Sequence, residues 1–434
     1  MDFNVYKAEM DKKMEEEFMD VDGQSKLKYP LSSRDQLKKE YSKVKEIIEE
    51  GKIKGFIGDE DARLATPSEP KPGRLYGIPK DHKQPNPTNN HPPLREVVSN
   101  SGANTQNLGK ICTHFIRPVN VQTASFVKDT GHILKKIKQL NDSGPQPSGT
   151  FPFTMDILAM YPSVPVEPSL AVLRKALLQY GYKVDLVNWL VKAMRCVLTC
   201  NTFEWDDKLR TQQKGMSIGT SPAPDHCGLY VSDLEDRALQ EWLSLHSDRA
   251  APHEWQRFID DVLGFFSGSI EELEAFNTFL NSRDPDIQFT MDANLVTKSV
   301  NYLDITISIN SHGYIQTDLF TKPNLKNQLL LPYSGHPPFI SRNIVYSLAV
   351  RIVRIVSAPD QREKRFLELA ERLSARHYST GVIKSGIDRA KGLEREEALE
   401  EAEKDKQKNQ IPKLIVEFDP RTTPSFQGVL RQNY

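Results

Sequence analysis

The stretch Arg257-Phe-Ile-Asp-Asp-Val-Leu-Gly-Phe-Phe266 places two adjacent carboxylates, Asp260 and Asp261, inside an apolar run. Buried like charges are costly unless a cation compensates them. Neighbouring residues of a strand point to opposite faces, so both acids can serve one ion only at a tight turn. A β-hairpin with Asp-Asp at its tip is the expected solution. Such pairs are common in solvated turns. Asp156 lifts this one above them, because it too ends an apolar strand-like run, FTMDILAMYPSVP. Two strands of one sheet would bring Asp156 beside Asp260. Two Mg²⁺ ions shared between carboxylates then stabilise the attacking and leaving oxygens of a displacement at phosphorus. Mg²⁺ completes its shell with phosphate and water, so two or three aspartates suffice. Glu235 and Asp304 are further acids at suitable spacing, read here as structural.

Composition sets wider bounds. The 434 residues carry 57 basic and 58 acidic side chains, so net charge points to no partner and only local basic patches would. Cys112, Cys196, Cys200 and Cys227 lack zinc-site spacing and read as reduced core thiols. No run is long and apolar enough for a membrane span, and the N-terminus lacks a signal-peptide layout. The expectation is a soluble intracellular protein with no membrane partner.

Along the chain, the stretch to about Lys28 reads as a poorly ordered or helical lead-in. Ser33 and Gln36 have capping-box spacing before a helix with Leu37, Tyr41, Val44 and Ile48 on one face, and Gly51 is the expected stop. A Pro-rich connector (ATPSEPKPG) leads to two strand-like segments, RLYGIPKDHK and PLREVVSN. TFEWDDKLRTQQ reads as a polar strand pair, followed by the glycine turn KGMSIGTSPAP and a helix. Ser269 and Glu272 cap the helix bearing Leu273, Phe276 and Leu280. VNYLDITISIN alternates strictly and predicts one half-buried strand, with Leu303, Ile305, Ile307 and Ile309 on its inner face. From Pro338 to about Lys408 the pattern is helical and basic. Together these elements predict an α+β protein.

The glycine turn would let backbone approach a nucleotide or template base closely. Tyr161, five residues past Asp156, would occupy the space of a ribose 2′-hydroxyl and so select deoxynucleotides. Lys80, Lys83 and Arg95 on the first hairpin would grip a triphosphate. Arg342, Arg351, Arg354, Arg362, Lys364 and Arg365 would track a nucleic-acid backbone, with Arg342, Arg351 and Arg354 forming one stripe.

Read in order, LYGIPKDHK, PLREVVSN, FTMDILAMYPSVP, QQKGMSIGTSPAP, RFIDDVLGFFSGSIEELEAFNTFLN, IQFTMD, VNYLDITI and YSGHPP resemble the reverse transcriptases of Penelope-like elements, from about Arg74 to the C-terminus. The resemblance implies a right-hand polymerase. Its expected segments are a helical N-terminal extension (1–65), fingers (66–150), palm with part of the fingers (151–325), a thumb-like helical region (326–410) and a tail (411–434). It matches Asp156 to the first catalytic motif and Asp260 and Asp261 to the third, with two Mg²⁺ (or Mn²⁺) held by these acids and the Ile157 backbone carbonyl. Gln212, Gly215 and Gly219 fall on the template- and nucleotide-contacting motif, Tyr161 on the sugar-discriminating position, and Lys80, Lys83 and Arg95 on basic positions of the fingers. Leu303-Asp304 matches the late palm motif. The implied partners are an RNA template, a DNA primer and deoxynucleoside triphosphates, and the implied location is nuclear.

Departures are Phe258 where Tyr is common, and Ser217-Ile218-Gly219 where Ala-Met-Gly is common. No GIY-YIG endonuclease signature follows, so an endonuclease-deficient form or a truncated copy is expected. Two other classes fit parts of the pattern: a catalytically silent nucleic-acid-binding protein and a two-metal phosphotransferase or nuclease.

Overall fold

The computed structural model describes residues 2–19, 22–80, 85, 91–246, 250–322 and 329–400. The chain opens with α1 (Phe3–Met14), β1 (Glu17–Met19), β2 (Ser25–Leu27), α2 (Arg34–Ile53), α3 (Asp59–Ala65), β3 (Gly73–Pro79) and β4 (Leu94–Ser99). Then come α4 (Gln106–Asn120), α5 (Thr130–Asp142), β5 (Thr150–Ile157), α6 (Met160–Ser163), α7 (Val166–Gln179), α8 (Val184–Thr199), β6 (Phe203–Trp205) and β7 (Lys208–Arg210). Next are α9 (Ala223–Leu245), β8 (Glu254–Phe258), β9 (Asp261–Ser267), α10 (Ile270–Asn281), β10 (Phe289–Ala293), β11 (Ser299–Tyr302), β12 (Ile305–Ile309) and β13 (Ile315–Leu319). The described chain closes with α11 (Pro338–Ile355), α12 (Pro359–Ser374), α13 (Thr380–Lys391) and α14 (Arg395–Leu399). The α+β expectation holds.

The chain divides into two compact units. One joins Met1–Lys128 to Phe153–Asp292, and the other joins Asp129–Pro152 to the chain from Ala293 onward.

The first unit holds two four-stranded sheets. In the order β10-β5-β9-β8, strand β5 lies between two later strands, which brings Asp156 next to the β8–β9 hairpin. Phe153, Val262, Phe265, Phe266, Trp242 and Phe276 are buried around this sheet. Gly264 leaves room for the Phe153 ring, since a Cβ at 264 would lie 2.2 Å from it. Ser269 and Glu272 make the full capping box that starts α10. The other sheet runs β4-β3-β6-β7. Alternation along β3 buries Gly73 and Leu75 and exposes Arg74, Tyr76 and Ile78.

The lead-in is an ordered part of that unit. Met10 and Met14 of α1 pack with Leu75, Leu94, Val98 and Phe203, and the Tyr6 hydroxyl accepts the Gly77 N–H at 2.7 Å. The composition of this segment is polar, but Tyr6, Met10 and Met14 share one face of α1. Ser33 caps α2 as expected, yet Gly51 lies inside the helix, which runs on to Ile53. A Cβ at 51 would sit 2.4 Å from the Trp189 ring, so this glycine serves close packing and not termination.

In the second unit β11, β12 and β13 form an antiparallel sheet. The single strand expected over VNYLDITISIN is a hairpin: Tyr302 pairs with Ile305, and Leu303-Asp304 form the turn. Leu303 adopts φ +53 and leaves the inner face to Ile305 and Ile307. Strict alternation hid the break, because a two-residue turn preserves the parity of the pattern. Helices α11, α12 and α13 share a core containing Val345, Ile352, Phe366, Leu373 and Ile383. The tail 411–434 and residues 401–410 lie outside the described residues.

Candidate active site

β8 and β9 form the expected hairpin, closed by the Phe258–Asp261 pair. Ile259 and Asp260 make its two-residue turn, so Asp260 stands at the tip and Asp261 opens β9. Both are half-buried. Ile259 has φ +59, a left-handed conformation that is unfavourable for a β-branched residue. It costs about 1–3 kcal/mol and persists where surrounding structure enforces it.

Asp156 lies exposed near the end of β5, between buried Met155 and Ile157. The Ile157 N–H donates to the Asp260 carbonyl at 3.0 Å, and Leu158 N–H donates to Gln288 O at 2.9 Å. The strand end carrying Asp156 is thereby tied to the turn carrying Asp260. Among the described residues no three His, Cys, Asp or Glu side chains are gathered tightly enough to hold an ion alone. Oxygen donors from Asp156, Asp260 and Asp261 on adjoining strand ends still suit Mg²⁺, which draws the rest of its shell from phosphate and water.

Tyr161 follows Ala159, whose φ of +48 turns the chain after β5. Burial raises the Tyr161 phenol well above its ordinary range, with Cys227 and the Asp260 carboxylate adding to the rise and Arg95 opposing it. The neutral ring therefore sits within electrostatic reach of both Asp260 and Arg95. The Tyr161 carbonyl accepts the Met216 N–H at 2.7 Å.

That bond anchors one side of the glycine loop. Gly215 has φ +70, and a Cβ there would lie 2.2 Å from the Pro162 carbonyl oxygen. On the other side Val98 N–H donates to Ile218 O at 3.0 Å, and a Cβ at Gly219 would lie 2.6 Å from Val98 O. The loop is thus wedged between the Tyr161 turn and β4. Gln212 is buried. Its amide donates to Lys214 O at 2.8 Å and accepts from the Ser217 hydroxyl at 2.7 Å. Its side chain shapes the loop.

Arg95 is exposed on β4, directly opposite Ile78, on the face of β3–β4 turned away from α1. Lys80 closes the hairpin through its backbone N–H to Pro93 O at 2.9 Å. Lys83 lies outside the described residues. A cavity of about 380 Å³ adjoins the acidic turn, lined by Arg117, Asn120, Lys128, Asp225, Phe258 and Ile259 among others. Burial raises the Asp225 carboxyl, and Asn120 donates to it at 3.0 Å.

Most arginines of the basic stripe expected in the C-terminal region have partners within their own unit. Arg351 binds Asp304 through Nη2 at 2.6 Å and Nε at 3.0 Å, and Arg354 donates to Ala398 O at 2.6 Å. Arg362 donates to Val356 O, while Arg365 binds Asp318 and Glu368. Arg342 is exposed, whereas Arg351 and Arg354 are half-buried residues. A helical charge pattern does not reveal which arginines must satisfy carbonyls and acids of their own unit.

Glu235 is structural. It pairs with Arg257 at 2.8 Å, the two side chains being 5% and 4% exposed. The sequence reading assigns no role to Arg257. One sequence signal points to it: an acid at Glu235 on the buried face formed by Val231, Leu234 and Ala238 of α9, which needs a buried cation.

Solved structures similar to this chain share little sequence with it. A telomerase from Candida albicans, solved with a fragment of telomeric RNA, superposes with a TM-score of 0.52 at 11% identity, covering 74% of this chain and 58% of that one. Apo telomerase from Candida tropicalis gives 0.45 at 10% identity over 75% and 58%. The RNA-dependent RNA polymerase of a human picobirnavirus gives 0.46 at 11% over 73% and 57%. This chain thus spans little more than half of these polymerases. Residues 328–388 match the family of animal helix-turn-helix domains. No curated protein matches the chain. No helix among the described residues is long and apolar enough to cross a membrane. The chain has an α+β fold resembling that of the Candida albicans telomerase.

Proposed function

We propose that this protein is an RNA-directed DNA polymerase of the Penelope-like kind, extending a primer 3′-hydroxyl with deoxynucleoside triphosphates. The observation that carries the reading is the hydrogen bond from Ile157 N–H to the Asp260 carbonyl, which ties Asp156 to the Asp260-Asp261 turn. Within the same unit, Tyr161 lies in electrostatic reach of Asp260 and Arg95. A hydrolase has no need of such a ring or of a fingers-like hairpin beside its acids.

In this reading Asp156, Asp260 and Asp261, with the Ile157 carbonyl, hold two Mg²⁺ or Mn²⁺ ions. Bound there, the ions supply charge stabilisation to the attacking and departing oxygens. The chain's own residues do the rest. The carboxylates fix where the charge is neutralised. Arg95 offers a guanidinium to the triphosphate. Gly215 and Gly219 let the loop backbone lie close beneath the base pair. Tyr161 fills the volume a 2′-hydroxyl would need. Template RNA, primer DNA and deoxynucleotides are the partners, and the nucleus is the proposed site of action.

Primer extension with Mg²⁺ on RNA and DNA templates tests this directly. Wild-type protein is expected to extend on RNA, and Asp260→Asn to lose extension while still binding template–primer. Extension retained by Asp260→Asn removes the reading. Tyr161→Ala should raise ribonucleotide relative to deoxynucleotide incorporation roughly 10- to 100-fold. An unchanged ratio would leave Tyr161 as a packing residue only.

A second reading, a silent nucleic-acid-binding protein, gives no reason for three acids on adjoining strand ends.

A further inference from the structure

The acidic turn is held by an arginine that binds its backbone. Ile259 needs its positive φ if Asp260 is to stand at the tip: a two-residue hairpin turn asks for that conformation at its first position, and a β-branched side chain resists it. Arg257, two residues earlier, reaches back from the core. Its Nη1 donates to the Ile259 carbonyl at 3.0 Å, Nη2 to the Gly228 carbonyl of α9 at 2.9 Å, and Nε to Glu235 at 2.8 Å. The Ser125 hydroxyl holds the other oxygen of Glu235 at 2.8 Å, and Ser125 O accepts the Arg257 N–H at 2.5 Å. Each edge of the guanidinium is therefore committed, and only one edge serves the turn.

A buried ion pair adds little net stability over an apolar pair of similar volume, so stability alone does not account for this one. Its geometry does. A planar fork fixed on α9 can present one N–H to a single carbonyl in one orientation, which a lysine cannot do.

We infer that Arg257 is a positioning residue. Anchored by Glu235, it enforces the left-handed conformation of Ile259 and so sets Asp260 and Asp261 against the end of β5. The catalytic half of this inference rests on the polymerase reading above. The structural half does not.

The test uses the full chain as wild type, Arg257→Lys, Ile259→Gly and the double variant. Thermal melting reports folding. Hydrogen exchange of the peptide containing the Ile157 amide reports the bond to Asp260 O. Mg²⁺-dependent single-nucleotide extension reports activity. Arg257→Lys keeps the charge for Glu235 but gives up the fork, so exchange at Ile157 should quicken and extension fall roughly 100-fold, as for a misplaced catalytic group. Glycine adopts positive φ without a side-chain penalty. Adding Ile259→Gly should therefore restore slow exchange and return extension to within about tenfold of wild type. A role in core stability alone would show no such rescue.

Wild-type exchange and extension in Arg257→Lys would overturn the assignment. So would a double variant that folds without rescue, or one that fails to fold alongside Arg257→Lys, since the arginine would then be holding the core and not the turn. If wild type itself extends no primer, the polymerase reading fails, and the exchange measurements alone decide the role of Arg257.

Discussion

Two hairpins in this molecule share one turn and use it oppositely. In β8–β9 the sequence Phe258-Ile-Asp-Asp261 closes with Ile259 at φ +59, and in β11–β12 Tyr302-Leu-Asp-Ile305 closes with Leu303 at φ +53. Each places an aspartate second in the turn. Asp304 is neutralised by Arg351, and the Thr130 hydroxyl also donates to it. For Asp260, no hydrogen bond among the described residues reaches the carboxylate. Its neighbouring arginine binds the turn carbonyl and Glu235 instead. An arginine aimed at a carboxylate makes a strut, while one aimed at the backbone beneath it leaves the charge available to an ion.

The comparison breaks most decisively on activity. Asp260→Asn should lower primer extension about 1,000-fold or more, on the scale of losing a group that stabilises transition-state charge. Asp304→Asn, measured per folded molecule, should stay close to wild type. Equal losses would erase the distinction between the turns.

A smaller effect is expected on stability. Asp304 and Arg351 are 32% and 42% exposed, so solvent screening discounts their pair. Asp304→Asn should cost about 1 kcal/mol in urea unfolding. A cost of several kcal/mol would mark the strut as a core element.

The smallest effect concerns the left-handed residue. Leu303→Gly should raise stability by at most about 1 kcal/mol, because relief of the positive φ is partly offset by the added freedom of the unfolded chain. A clear loss would show that the Leu303 side chain packs more tightly than its half-buried position suggests.

Much of the first unit was legible in sequence. Apolar runs ending in acids marked β5 and the β8–β9 hairpin, because such a pattern is tolerable only at a strand end or turn. Capping chemistry marked α2 and α10. Elements whose residues serve distant partners were not legible. Gly51 has the look of a helix stop and is a seat for Trp189. Gln212 has the look of a substrate contact and braces its own loop. Arg351 and Arg354 have the look of a phosphate-binding stripe and satisfy Asp304 and Ala398.

Local patterns could determine that this chain is α+β, that Asp260 and Asp261 sit at a hairpin tip, and that Asp156 ends another strand. These follow from the period of a strand, the reach of a two-residue turn and the cost of burying bare charge, all of which act over a few residues. Only the tertiary structure decided which acids keep an open carboxylate and which arginines are spent. That choice turns on contacts such as Arg257 with Glu235 and Arg351 with Asp304, formed between residues far apart in sequence and invisible to any local pattern.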